Sequence, residues 1–302
     1  MTNPISPDGI HLTVPHRYHK QILKNFNFFQ SINTDTGEIR VSKYGNEIWT
    51  ANESHVRLQY VKSQFGTSHL HIRTSIGIFY KGNNYESLTR SDFQNAIRKL
   101  SGFIGVPMLD FQLRSFEFGY NSKLKSITTE TFINSIIACK TKVPDRNSFN
   151  GGGLQLIFPY QHFSVKVYDK GQQMRLPYEL LRMELVIHRM RYSQKHLGVI
   201  NLNQMQLPTS QIKMEQLLRK KINDLIIVDP ALITLPEYIP NQKEKIMRYS
   251  SSSFWLSLDW AQRKKQLQTL ASLNSKLNVN LKDQLLAPLN NVQHNQNFLT
   301  RI

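Results

Sequence analysis

The chain has 302 residues, 40% of them apolar and 20% charged, enough for one large core or two. Thirty-eight Lys and Arg against 21 Asp and Glu give a net charge of +17, which points to a polyanionic partner, nucleic acid ahead of an anionic membrane surface. The one cysteine, Cys139, excludes an intrachain disulfide and a cysteine-rich zinc module, and no apolar run reaches the ~18 residues of a membrane span. The opening MTNPISPDGIHLTVP has no basic stretch ahead of an apolar block, so no secretory signal and a reducing cytoplasm are expected.

Residues 10 to 14, IHLTV, read as a short strand, and 22 to 29 as helix or loop. A turn is expected at Asp35-Thr36-Gly37 with a strand after it, and Gly45-Asn46 marks another turn before the strand EIWTA. HVRLQYVK (55 to 62) alternates as a strand does, and HLHIRTSIGIFY (69 to 80) reads as a long antiparallel neighbour. Thr89 is suited to cap a helix through Phe103, with Phe93, Ile97, Leu100 and Ile104 at helical spacing. LRSFEFGYN (113 to 121) is a strand with Phe116 and Phe118 on one side and Glu117 on the other.

Thr128 or Thr129 caps a further helix through Cys139. The break from Asn150 to Gly153 is no phosphate loop, because no GKS or GKT follows it. The strands LQLIF, SVKVY and LRMELVI come next, the last two adjacent, separated by a Gly/Gln turn and Pro177. Beyond about Gly198 the texture becomes helical, over 212 to 228 and 254 to 277, with prolines at 230, 236 and 240 between. Trp255 and Trp260 read as core positions of the second of these helices, and the residues from Asn290 as a loose polar end. The expected class is therefore α+β, an antiparallel sheet with packed helices over residues 1–200, followed by a helical accessory region over 201–302.

Several segments together resemble the rolling-circle replication initiators of phages and plasmids, the gene-two proteins of filamentous phages above all. The matching pieces are DGIHLTVP, LHIRTSIGIFYKGNN, LRSFEFGYN, VKVYDKG and LRMELVIHRMRYSQKHLG, in the family's order and covering most of residues 8 to 200. The resemblance implies an HUH-like palm and a DNA-nicking and rejoining enzyme that works through a tyrosine and a divalent metal, Mg2+ or Mn2+. It implies origin DNA as partner, with a host helicase and polymerase, in the bacterial cytoplasm and away from membranes. One departure is that the family's usual lysine is replaced by Ile78, with Lys81 as its only neighbouring substitute.

Nicking by transesterification requires a nucleophilic oxygen in line with phosphorus, charge neutralisation on the non-bridging oxygens, and removal of the phenol proton. His69 and His71 stand two apart on a strand, so both imidazoles face one side and are candidate metal ligands, as in the HUH triplet; two half-exposed histidines are the plain alternative. Glu117 and Glu184 lie mid-strand among apolar neighbours, where a carboxylate needs a metal or an arginine; a salt bridge from Glu184 to Arg182 is the competing reading. Tyr192 with Lys195 has the Tyr-x-x-Lys spacing of many HUH initiators and puts an ammonium on the tyrosine's helix face. Tyr160 and Tyr168 are rival nucleophiles, and Lys170 beside Asp169 is a candidate phosphate contact. Arg219, Lys220, Lys221 and Arg263, Lys264, Lys265 form two basic clusters that suit a grip on DNA, or simply solvated helix faces.

Overall fold

A computed structural model describes residues 5–32, 39, 41–42, 44–125, 127–149, 152–234, 240–276 and 281–296. The turn expected at Asp35 to Gly37, the break at Asn150 and Gly151, and Pro236 lie outside these residues. The strands, in chain order, are β1 (Ser6–Thr13), β2 (Phe29–Gln30), β3 (Glu47–Glu53), β4 (Val56–Lys62), β5 (Ser68–Ser75), β6 (Gln112–Ser122), β7 (Ile136–Cys139), β8 (Asp145–Ser148), β9 (Leu154–Pro159), β10 (Phe163–Asp169), β11 (Leu181–Ile187) and β12 (Leu225–Ile227). The α+β class with a large antiparallel sheet is the one expected. By internal contacts the chain divides into two compact units, Met1–Phe118 with Val186–Met214, and Gly119–Leu185 with Glu215–Ile302. The chain passes from one unit to the other within β6, within β11 and between Met214 and Glu215.

In the first unit the strands lie in the order β2-β3-β4-β5-β1-β6. β5 pairs antiparallel with both β4 and β1, placing His71 opposite Gln59 on one side and Thr13 on the other. Alternation decides the faces: Leu70 and Ile72 of β5, Leu58 of β4 and Leu12 of β1 are wholly buried, while His69 and Arg73 stay exposed. The helix Arg90–Ile104 starts as expected, with Thr89 and Asp92 forming a capping box. Its Phe103 meets Phe79 and Phe26 at ring distances of 5.8 and 5.3 Å.

The expected long strand over 69 to 80 is cut short. It ends at Ser75, whose hydroxyl accepts from the Ile78 N–H and starts the helix Ile76–Lys81. Ser75 in turn donates to Asp8, which also accepts from Asn84. Lys81, the candidate substitute for the family lysine, pairs with Asp92 at 3.0 Å.

In the second unit the order is β6-β11-β10-β9-β8, with β9 antiparallel to β10 and β8. β11 is buried at every residue, its charged Arg182 and Glu184 included. Gly119 is required by close approach: a Cβ there would lie 2.2 Å from the Met183 carbonyl. The helix capped by Thr128 stops at Ser135, because Ile136–Cys139 becomes β7 and pairs with β12. β12 is likewise the end of the expected helix over 212 to 228; the helix Pro208–Asp224 gives way to Leu225–Ile227, in which Ile226 and Ile227 are β-branched. Asp169 caps a short helix, Lys170–Met174, where a turn was expected. The expected helix over 254 to 277 is two, Ser252–Ser257 and Trp260–Asn274, because Asp259 and Gln262 form a capping box that begins a new one. A helix, Leu281–Gln296, runs into the end expected to be loose. Among the described residues no helix is long and apolar enough to cross a membrane.

Candidate active site and nucleic-acid surface

The outward face of β4, β5, β1 and β6 in the first unit carries the polar side chains. The register sets Arg57, Arg73 and His11 in one row and Gln59, His71 and Thr13 in the next. Arg73 donates to Gln59 at 3.1 Å, and Arg114 donates to Thr13 at 2.8 Å and to Gln112 at 3.0 Å. A hollow of about 370 Å³ is lined by Gly9, His11, Arg73, Ser75 and Glu117, among others. Gly9 makes room for the Glu117 carboxyl: a Cβ there would meet the Glu117 Cδ at 2.9 Å.

His11 Nε2 and His71 Nδ1 face one another at 3.0 Å. One nitrogen must donate and the other accept, so the contact survives only while at least one ring is neutral. Desolvation, with Arg73 close by, pushes both pKa values down to about 4. His69 lies beside His71, ring centres 6.3 Å apart. His71 thus has the same-side histidine that period two predicts, and a second partner, His11, that the spacing did not show. Only the β1–β5 register brings His11 there.

Two neutral imidazole nitrogens 3.0 Å apart suit two adjacent positions on a divalent ion, since metal–nitrogen bonds are about 2.1 Å. The fit is partial. Among the described residues no group of three or more His, Cys, Asp or Glu is placed to hold a metal. Of the expected ligands, His69, His71 and Glu117 belong to this face, and Glu184 sits on β11 in the second unit.

Glu184 is 2% exposed and its carboxylate accepts from Arg182 Nε at 2.5 Å. Arg182 also donates to Asn121 at 3.2 Å. Burial pushes the Glu184 pKa up, but Arg182, Lys166 and Lys170 together outweigh it and hold the carboxyl below its ordinary range. The salt bridge weighed against metal ligation is therefore present. Lys170 is buried, with its ammonium donating to Gln173 at 2.7 Å.

Tyr192 lies on the helix Met190–Leu197, its ring 4.4 Å from that of His196. Burial pushes its pKa up rather than down, and Lys195 is exposed on the same helix. Tyr160 donates to the Cys139 carbonyl at 3.0 Å, and burial pushes its pKa up as well. Tyr168 is buried against Phe149.

The basic clusters divide. Arg219 pairs with Glu215 and donates to Asn290, Lys221 pairs with Asp224, and Arg263 donates to the Trp255 and Leu258 carbonyls. Lys264 and Lys265 are exposed and Lys220 is more exposed than Lys221. Trp255 is buried as expected, whereas Trp260 is 76% exposed, because the helix restarts beside it.

No family model matches the chain, and no curated protein matches it. Among solved structures, the rolling circle replication initiator protein from Geobacillus stearothermophilus is similar over 89% of this chain and 96% of its own. The identity is 14% and the TM-score 0.42. A likeness at that level brings no residue roles with it.

Proposed function

We propose that the protein starts rolling-circle replication of a phage or plasmid by nicking origin DNA and rejoining it. The observation that supports this reading is one of placement. The resembling segments DGIHLTVP, LHIRTSIGIFYKGNN and LRSFEFGYN contribute β1, β5 and β6, which stand side by side, and their polar residues share one face. Arg57, Arg73 and Arg114 give that face fixed positive charge for the phosphates. His11 and His71 are neutral at pH 7, the state in which an imidazole can bind a metal.

In the proposed reaction the Tyr192 phenol oxygen attacks phosphorus. The bond from phosphorus to the 3' oxygen breaks, the phenol gives up its proton, the leaving 3' oxygen takes up one to become a hydroxyl, and a 5'-phosphotyrosine forms. Reversal rejoins the strand without ATP, since the phosphoester energy is kept. His69, His71 and Glu117 are the proposed holders of Mg2+ or Mn2+, and the imidazoles favour Mn2+ of the two. When bound, such an ion supplies positive charge to the non-bridging oxygens. Lys220, Lys264 and Lys265 are proposed to contact DNA, with a host helicase and polymerase as later partners in a bacterial cytoplasm.

The test is covalent attachment to single-stranded origin DNA. Wild type is expected to form an adduct and Tyr192→Phe to form none; an adduct in that variant transfers the role to Tyr160 or Tyr168. A second reading, a non-catalytic DNA-binding protein, is favoured by the locking of Glu184 to Arg182 and by the raised Tyr192 pKa. Chelation by EDTA separates the two: salt-sensitive DNA binding persists in either case, and only an enzyme loses nicking.

A further inference from the structure

We infer that a hollow in the second unit, lined by Ile226, Leu267, Ala271 and Trp260 among others, binds an unpaired nucleobase of single-stranded DNA. The hollow measures about 550 Å³. These four lining side chains are apolar, and Trp260 presents a largely uncovered indole. An indole left in water on a folded surface loses the burial that makes tryptophan worth having, unless another flat apolar group covers it.

Charge selects what that group belongs to. The Lys264 ammonium stands 5.5 Å from the Trp260 ring centre, and Lys140 also lines the hollow. The one carboxylate lining the hollow, Asp224, is already shared by Lys140 at 3.6 Å and Lys221 at 2.8 Å. Asp259, next to Trp260 in the chain, is committed to capping Gln262. A ligand that is flat, apolar on its faces and negative at its edge fits this arrangement, and a nucleotide of a single strand has all three properties. A duplex does not, because its base faces are already stacked. Arg263 serves the site indirectly, since its bonds to the Trp255 and Leu258 carbonyls pin the chain break that turns Trp260 outward.

This inference rests on the proposed role at origin DNA and assigns the second unit the displaced or unwound strand. It is tested by titrating the full chain with a fluorescent oligo(dT) strand and, in parallel, with a blunt duplex of equal length. Trp260→Ala is expected to weaken strand binding about tenfold, with Trp260→Phe recovering most of it and duplex binding unchanged. Indole emission of wild type is expected to be quenched by the strand, and the quench to be lost in Trp260→Phe. Equal strand affinity of wild type and Trp260→Ala overturns the inference, as does an equal loss on strand and duplex. Either result leaves covalent attachment at the origin intact; failure of wild type to bind any DNA would remove both.

Discussion

Arg182 and Glu184 are two residues apart on a strand buried at every position, and that placement makes their charges interdependent. Removing one takes from the other its bonded counter-charge in a dry interior. Glu184→Gln is expected to cost about 3–5 kcal/mol, read as a lower urea midpoint. Replacing both by apolar residues of similar volume is expected to recover most of that loss. If Glu184→Gln unfolds at the wild-type midpoint, the pair is not a buried charge pair. The histidines, too, weaken the fold as pH falls. His11 and His71 have folded pKa values of about 4, below their ordinary 6.5, so the unfolded chain takes up protons that the folded chain refuses. Their contribution is complete above pH 6.5 and is lost as pH falls towards 4. The stability gap between wild type and a His11→Gln, His71→Gln double variant should therefore narrow across that window. A gap that stays constant with pH would show that neither ring is held neutral. The alternation of His69 and His71 was readable from a period of two. His11 was not, because only strand pairing across sixty residues puts it against His71.

At the level of elements, what was legible is what is locally encoded. Thr89 and Asp92 write a helix start into four residues, and the helix Arg90–Ile104 begins there. Three of the misread elements involve a change of state inside an apolar run. Ile76 to Lys81 continues the alternation of β5, yet one serine hydroxyl turns it into helix. Ile136–Cys139 and Leu225–Ile227 continue helical periodicity, yet each finds a strand partner in the other. Periodicity alone does not separate such short apolar runs, since tertiary pairing decides them. The same cause hid Trp260: an unbroken helix from 254 to 277 puts it in the core, and the Asp259 cap turns it out. Packing between strands is testable at Gly119. Its missing side chain is demanded by the Met183 carbonyl, so Gly119→Ala is expected to destabilise by about 1–3 kcal/mol or to shift β11. An unchanged melting temperature would mean that the strands are not that close.

Taken as a whole, the chain joins a strong positive charge to a polar strand face and to a second unit with its own exposed aromatic. The +17 was legible at once and is the ground for expecting a polyanionic partner. Which cations are available was not, because Arg219, Lys221 and Arg263 are engaged within the fold while Lys264 and Lys265 are exposed. Charge counts do not distinguish a cation that holds the protein together from one that waits for a phosphate. The carboxylates expected to bind a metal divide for a related reason: Glu117 reaches the histidine face, and Glu184 answers Arg182. The most direct measurement is to incubate the full chain with single-stranded origin DNA and a divalent ion, digest the product, and find by mass spectrometry which peptide carries the nucleotide. The account predicts a 5'-phosphodiester on Tyr192. A nucleotide on a different tyrosine would contradict the assignment, and no adduct on origin DNA that the protein demonstrably binds would contradict the proposed activity itself.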